Sequence, residues 1–482
     1  MTGANILSVV SEIYPLVKTG GLGDVAGALP LALREHGIRT VTLVPGYPAV
    51  LAALGRAQEV FSAGDLFGGR ARLLAGRASG LDLLAIEAPH LFDRSGNPYV
   101  GPDGRDWPDN ALRFGALGWM AARIGLGEVS AFLPDIVHCH DWQAGLAPAY
   151  LAYDGRRRPP SVITVHNLAY QGLFPADLLS TLHLPPEAFR IDGVEYYGGI
   201  GFLKAGLQFA DLITTVSPTY AAEMQTPEYG FGLDGLLRAR TGAISGIING
   251  IDTKVWNPLS DPRIPARYGR SALAKRAPNK TALQHRFGLN PDPVSLLIGV
   301  VSRFVRQKGL DLLADAAQTI LECGGQLAML GTGDVEIEQQ LALLAAAHPG
   351  RIGCMIGYDE DVAHLIQAGA DALLVPSRFE PCGLTQLCAL HYGAVPIVAK
   401  VGGLADTVID PGEAGGEKAT GLHFSPVTRE GLEGALRRVA HIWADQRQWR
   451  RMQLNGMRTD VSWKRSAAEY ARLYAGLMAT KN

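Results

Sequence analysis

The chain has 482 residues, 47% of them hydrophobic, so it can bury a large core, and its length suits roughly two to four domains. A formal net charge of -2 leaves no global positive field to hold nucleic acid or an anionic bilayer, and neither is expected as a partner. The longest apolar runs, such as residues 296–301, are strand-sized and far short of the ~20 residues a spanning helix needs.

Residues 1–5 lead into an apolar segment at 6–10 with no charged leader or signal-type apolar region. Cys139, Cys323, Cys354, Cys382 and Cys388 are scattered and lack paired metal-ligand spacing, so they read as reduced thiols. Both features predict a cytoplasmic protein; the sequence identifies no protein partner.

Short β-branched or aliphatic runs at 6–10, 40–44, 83–86, 136–139 and 162–165 alternate with helical stretches, including one closed by Gly37. The pattern restarts after Asn249 with runs at 295–301, 326–330, 352–356, 372–375 and 395–398. Such alternation predicts an α/β protein with two Rossmann-like, doubly wound domains of parallel strands covered by helices. Asn249-Gly250-Ile251-Asp252 is a strong turn signal and the Pro-, Asp- and Arg-rich stretch 257–293 follows it. The expected parts are residues 1–248, residues 249–460 and a terminal segment 461–482. Ligands of doubly wound sheets bind beyond the carboxyl ends of the strands, so the chemistry is sought just after strands, in a deep cleft between two facing domains.

The first such loop is Lys18-Thr19-Gly20-Gly21-Leu22-Gly23-Asp24, where a lysine beside bare backbone and a helix start suits a diphosphate. The match of Gly21 to Ala26 with G-x-G-x-x-A raises a nicotinamide dehydrogenase as an alternative. It fails because the glycines lie well beyond the strand and the second strand ends Val44-Pro45 without an acidic residue for a ribose.

His138-Cys139-His140-Asp141-Trp142 closes a strand, and alternation puts His138 and His140 on one face. With His166 they would make a zinc-like set of imidazoles, but Asp141 at the strand end is the better functional candidate, as an acceptor for sugar hydroxyls. Trp142 either stacks on a sugar or fills core. His166-Asn167 ends the next strand.

In the second half, Ser302-Arg303-Phe304-Val305-Arg306-Gln307-Lys308-Gly309 follows a strand and precedes a helix. A planar guanidinium fork and a point charge together suit a leaving diphosphate, with Arg306 the solvated member. Pro376 to Thr385 places Glu380 before a helix start whose N–H groups can hold phosphate oxygens. Gly402-Gly403-Leu404 is a similar close-approach loop, and Asp359-Glu360-Asp361, though it has the form of a D-x-D metal motif, reads as helix-capping carboxylates.

In their order, Ser11-Glu12-Ile13-Tyr14-Pro15, Lys18-Thr19-Gly20-Gly21-Leu22, His140-Asp141-Trp142, His166-Asn167, Asn249-Gly250-Ile251-Asp252, Gln307-Lys308-Gly309 and Glu380-Pro381-Cys382-Gly383-Leu384-Thr385 resemble the bacterial and plant glycogen/starch synthases. These are glycosyltransferase family 5 enzymes of GT-B architecture, and the likeness spans nearly the whole chain. It implies a retaining glucosyltransferase that moves glucose from ADP-glucose to the non-reducing end of an α-1,4-glucan, with no cofactor and no catalytic metal, and a last helix packed on the first domain. It further implies that Glu380, Asp141, His166, Lys308 and Arg303 serve catalysis. Lys18, Gly20, Gly21, Asn167, Tyr99, Asn249, Cys382, Gly383, Leu384 and Thr385 would contact substrate. Phe304-Val305-Arg306 departs from the family's usual residues after its arginine, and Cys388 replaces the second glutamate of the E-x7-E pattern of other retaining enzymes. Another retaining GT-B glycosyltransferase, a phosphorylase-like enzyme and a non-catalytic glucan-binding protein are the other readings. A phosphorylase needs a pyridoxal-lysine context not recognised here, and a binding protein has no use for a phosphate clamp.

Overall fold

The computed structural model describes residues 3–413 and 416–480. They form two compact units: one runs to Asn249 and takes in the chain again from Trp463, the other is Gly250–Ser462.

The first unit is built on strands β1 (Asn5–Val9), β2 (Arg39–Pro45), β3 (Gln58–Ala63), β4 (Ala71–Ala78), β5 (Leu81–Glu87), β6 (Ile136–His140) and β7 (Ser161–Val165). A small sheet of β8 (Leu173–Pro175), β9 (Glu195–Tyr196) and β10 (Gly199–Gly201) follows, then β11 (Leu212–Thr215) and β12 (Ile244–Gly246) return to the main sheet. Its order is β12-β11-β7-β6-β1-β2-β5-β4-β3. The strands from β12 to β5 are parallel, while β4 runs antiparallel to β5 and β3. β6 and β7 are buried along their whole length, as expected of central strands covered on both faces.

The helix Gly21–Leu33 lays Val25, Leu29 and Leu33 against Trp463, Ala467, Tyr470, Tyr474 and Leu477 of the helix Trp463–Ala479. Spacings of three and four put each set on one face, which is why the chain's last helix docks there. Burying each large aliphatic side chain in such a seam contributes roughly 1.5–3 kcal/mol. Gly37 (φ 71°) ends the short 3-10 turn Arg34–His36 that extends the first helix.

The second unit has β13 (Leu297–Val301), β14 (Gln326–Gly331), β15 (Ile352–Ile356), β16 (Ala372–Val375), β17 (Val395–Ala399) and β18 (Leu422–Phe424), all parallel, in the order β15-β14-β13-β16-β17-β18. Strand order therefore reverses between β13 and β16, and in the first unit between β1 and β6. Loops leaving such a pair diverge to opposite faces, so the strand ends open a crevice there. Every candidate loop but those of Tyr99, Asn249 and Gly402 follows one of these four strands or β7.

The hairpin of β3 and β4, the small sheet, β11, β12 and β18 go beyond the strands expected from sequence. The small-sheet strands and β11, β12 and β18 have four residues or fewer, too short to show a period, and β3 carries the polar sequence QEVFSA.

Candidate active site

In the second unit, Arg303, Lys308, Glu380, Gly383, Leu384 and Thr385 line one cavity of about 160 Å³, joined by Ser302 and Gln386. It lies at the β13/β16 reversal. Lys308 Nζ donates to Glu380 Oε2 at 2.5 Å, and Ser377 Oγ donates to the same oxygen at 2.9 Å. Gly383 adopts φ 71° just before the helix Thr385–Tyr392, which has no side-chain cap, so its first N–H groups remain available to an acceptor at the cavity. Cys382 does not line the cavity; it is buried and its carbonyl accepts from the Gln386 amide at 3.0 Å. Cys388 is buried among Ile251, Leu387, Leu390 and Val461, so the position of the missing second glutamate belongs to the core.

The two loops of this cavity are joined in several places. Gly309, at φ 68°, passes so close to Pro376 that a Cβ would lie 2.0 Å from its carbonyl oxygen. Gln307 donates to the Phe379 carbonyl at 3.2 Å, and Arg378 makes a two-pronged pair with Asp311, both contacts 2.7 Å. Arg378 also donates to the Arg306 carbonyl at 2.7 Å. Arg306 itself is exposed.

In the first unit, a buried carboxylate to which the sequence alone assigns no role organises the Lys18 loop. Glu12 accepts from the Thr19 N–H, from Thr19 Oγ1 at 2.6 Å, from the Gly20 N–H at 3.2 Å and from Tyr99 Oη at 2.5 Å. Ser11 Oγ lies 2.8 Å from Tyr99 Oη. Burial, then the Glu12 charge, hold the Tyr99 phenol well above its ordinary range, so it stays protonated as a donor. Lys18 pairs with Asp24 at 2.8 Å. A Cβ at Gly20 would meet no atom within 4 Å, so open space borders the amino end of the helix that Gly21 begins.

Asp141 sits just past β6 at φ 56°, a left-handed conformation that costs a non-glycine residue about 1–3 kcal/mol and is found where function requires it. Its Oδ1 accepts from the His166 N–H at 2.7 Å and the Asn167 N–H at 3.4 Å, so one carboxylate joins three predicted residues. Burial raises its pKa to about 7 against the lowering effect of those N–H groups. Trp142 is partly buried and packs on aromatic neighbours: its ring lies 4.9 Å from Phe114 and 5.8 Å from Phe174, and Phe114 is 5.8 Å from Tyr99. Asn249 is buried, and among the described residues its Oδ1 has no partner and it bonds to none of the other candidates.

The imidazoles of His138, His140 and His166 are close but engaged with one another and with hydroxyls. His140 Nδ1 is 3.0 Å from His166 Nε2, and His138 bonds Tyr474 Oη at 2.7 Å and Thr164 Oγ1 at 2.5 Å. Burial lowers His138 and His166 to about 3 and His140 also, so all are neutral near pH 7. No His, Cys, Asp and Glu cluster suited to a metal occurs among the described residues. Asp359 caps the helix Glu360–Gly369 by accepting from the Val362 N–H at 3.0 Å, and Asp361 pairs with Arg263. Among the described residues no helix is long and apolar enough to cross a membrane.

Two doubly wound sheets, parallel around their reversal points, with a cationic cavity in one and a carboxylate-held histidine strand end in the other, are those of a GT-B glycosyltransferase. Residues 5–239 match the starch synthase catalytic domain and residues 283–453 the glycosyl transferases group 1 model. The chain is 61% identical to a glycogen synthase of Rhodopseudomonas palustris, covering 100% of this chain and 99% of that one. It is 59% identical to glycogen synthase 2 of Bradyrhizobium diazoefficiens, covering 100% of both. The catalytic domain of starch synthase IV from Arabidopsis thaliana, bound to ADP and acarbose, superposes with a TM-score of 0.87 at 31% identity over 99% of this chain and 100% of that one. Sucrose-phosphate synthase from Thermosynechococcus elongatus shares the fold, with a TM-score of 0.60 at 19% identity over 100% of both chains. The chain belongs to the glycogen synthase family.

Proposed function

We propose that this protein extends α-1,4-glucans by moving glucose from ADP-glucose to the non-reducing chain end with retention, in the cytoplasm and without a metal. The observation that carries the reading is the cavity in which Arg303 and Lys308 stand beside Glu380 and an uncapped helix start. A relative of the same family is bound to ADP and acarbose, which supports ADP as the leaving group and a glucan as acceptor. Free cysteines agree with a reducing compartment.

As the bond from glucose to diphosphate breaks, negative charge grows on the leaving group and positive charge on the sugar. Fixed cations gain interaction energy at that moment, so Arg303, Lys308 and the helix start act chiefly on the transition state. The departing diphosphate accepts the proton of the acceptor hydroxyl on the face it leaves, which gives retention. Glu380 and Asp141 orient hydroxyls and stabilise the positive charge, while Lys18, Gly20, Gly21, Tyr99, Asn167, Asn249 and the Gly383 to Thr385 loop contact substrate.

Initial rates on glycogen with ADP-glucose and UDP-glucose, each before and after exhaustive chelation, test this. ADP-glucose should be used faster, chelation should leave the rate intact, and an α-specific glucanase should digest the product. Equal use of UDP-glucose would overturn the donor, and loss on chelation restored by magnesium or manganese would overturn the metal-free reaction.

A further inference from the structure

Behind His166 lies a line of buried polar groups that the proposed transfer does not use. Ser8, on β1, is 4% exposed, and its hydroxyl has a single hydrogen-bond partner among the described residues, His140 Nε2 at 3.4 Å. His140, on β6, is 1% exposed and turns its other nitrogen, Nδ1, to His166 Nε2 at 3.0 Å. His166, at the end of β7, is partly exposed, and its Nδ1 has no protein partner among the described residues.

A neutral imidazole has one donor and one acceptor nitrogen, so protonation at one end of this line dictates the other. A buried hydroxyl hydrogen needs an acceptor, and for Ser8 that acceptor is His140 Nε2. His140 then carries its hydrogen on Nδ1 and donates to His166 Nε2, which leaves the His166 hydrogen on Nδ1. The reverse line would have His166 donate to His140 and His140 to Ser8, stranding the serine hydrogen in the interior. His138, whose ring centroid is 4.2 Å from that of His140, is held on both nitrogens by Tyr474 and Thr164 and offers His140 no alternative partner.

We infer that Ser8 and His140 are positioning residues that fix His166 as its Nδ1–H tautomer, so that this side chain meets substrate as a hydrogen-bond donor to a sugar hydroxyl oxygen. Three adjacent parallel strands give the line its rigidity, because β1, β6 and β7 hydrogen-bond as neighbours and the serine and the two rings are held by the sheet. Burial keeps both rings uncharged near neutral pH, so the selection is between tautomers. The inference rests on the proposed glucosyl transfer for the identity of the ligand, but the tautomer itself does not depend on it.

Nitrogen NMR of the full-length protein with labelled histidine, His166 being assigned with the His166→Gln variant, reads the tautomer without any turnover. The wild type should show hydrogen on His166 Nδ1, and Ser8→Ala should shift the population toward Nε2–H. Hydrogen on Nε2 in the wild type, or a tautomer unmoved in Ser8→Ala, would overturn the inference. With ADP-glucose and glycogen, Ser8→Ala should lose roughly 3–10-fold in kcat/KM. His140→Asn, whose amide can still donate to His166, should retain more activity than His140→Leu when both show a wild-type melting transition. Equal activity of the two would count against the relay, and a melting transition lost in the His140 variants leaves Ser8→Ala to decide. A protein that makes no glucan but shows the Nδ1–H tautomer would sink the glucosyl-transfer reading alone.

Discussion

Lys308 Nζ lies 2.5 Å from Glu380 Oε2, joining the loop after β13 to the loop after β16. The pair is largely shielded from water, with side-chain exposures of 17% and 9%, and its carboxylate keeps a second donor in Ser377. A diphosphate entering the cavity therefore finds a cation already fixed in place, and Glu380 retains the neutral serine donor when the ammonium turns to phosphate.

Lys308→Ala should accordingly lower kcat by ~10²–10³-fold, the usual effect of removing one preorganised charge from a transition state. Arg306→Ala, at an exposed position of the same loop, should leave kcat near normal. Steady-state kinetics on both folded variants decide it. A rise in KM with kcat unchanged would make Lys308 a uniform binding contact.

Gly309 shapes that loop, and two glycines at positive φ separate strain from collision. At Gly324 (φ 76°) a Cβ meets nothing within 4 Å, so Gly324→Ala should cost only the left-handed penalty of about 1–2 kcal/mol. At Gly309 (φ 68°) the same carbon strikes a backbone oxygen that cannot rotate away. Gly309→Ala should cost more than ~3 kcal/mol and reduce kcat with it, because the displaced segment carries Lys308. Denaturant unfolding and kinetics of the two variants check this. Equal destabilisation would show that the loop relaxes around the clash.

The strands at both reversal points were legible because buried parallel strands are continuous aliphatic runs, and the charged loops after them were legible as motifs. Glu12 stood inside such a motif with no evident role. Its meaning lies in donors contributed by Thr19 and by Tyr99, 87 positions away, a convergence that no local pattern encodes. The same holds for the Arg378 and Asp311 pair and for the sharing of Asp141 between His166 and Asn167. The β3–β4 hairpin was missed because its first strand, at the sheet edge, carries polar residues instead of an apolar run.

Glu12 gathers four donors, so replacing one of its oxygens with an amide should be felt at once. Glu12→Gln turns an NH2 toward either the Tyr99 hydroxyl or the Thr19 and Gly20 N–H groups, and each buried donor left unsatisfied costs about 1–3 kcal/mol. Tyr99→Phe removes a single donor and should cost less. Thermal unfolding should rank the variants wild type, Tyr99→Phe, Glu12→Gln in falling stability, with the donor KM rising in the same order. A Glu12→Gln protein as stable as the wild type would remove the carboxylate as organiser of the loop.

Asp141 gives a prediction whose sign is fixed by burial. Its folded pKa of about 7 stands above the ordinary 3.8, so between those values the folded protein binds more protons than the unfolded chain. Stability contributed by this residue is fully present below the unfolded pKa, falls as pH rises between the two values, and is gone above about 7. The span of about three units corresponds to a loss on the order of 4 kcal/mol. Asp141→Asn keeps a carbonyl for the His166 N–H but cannot ionise, so its stability should lack that decline relative to wild type between pH 4 and 7. Activity should move the opposite way, since the ionised carboxylate accepts sugar hydroxyls and opposes the positive charge of the transition state. In the wild type kcat/KM should climb through pH 7, and in Asp141→Asn the residual rate should lose that ascending limb. Paired urea-unfolding and kcat/KM profiles from pH 5 to 8 make the comparison. A wild-type stability curve parallel to that of Asp141→Asn, or an ascending limb that survives the substitution, would assign the titration to another group.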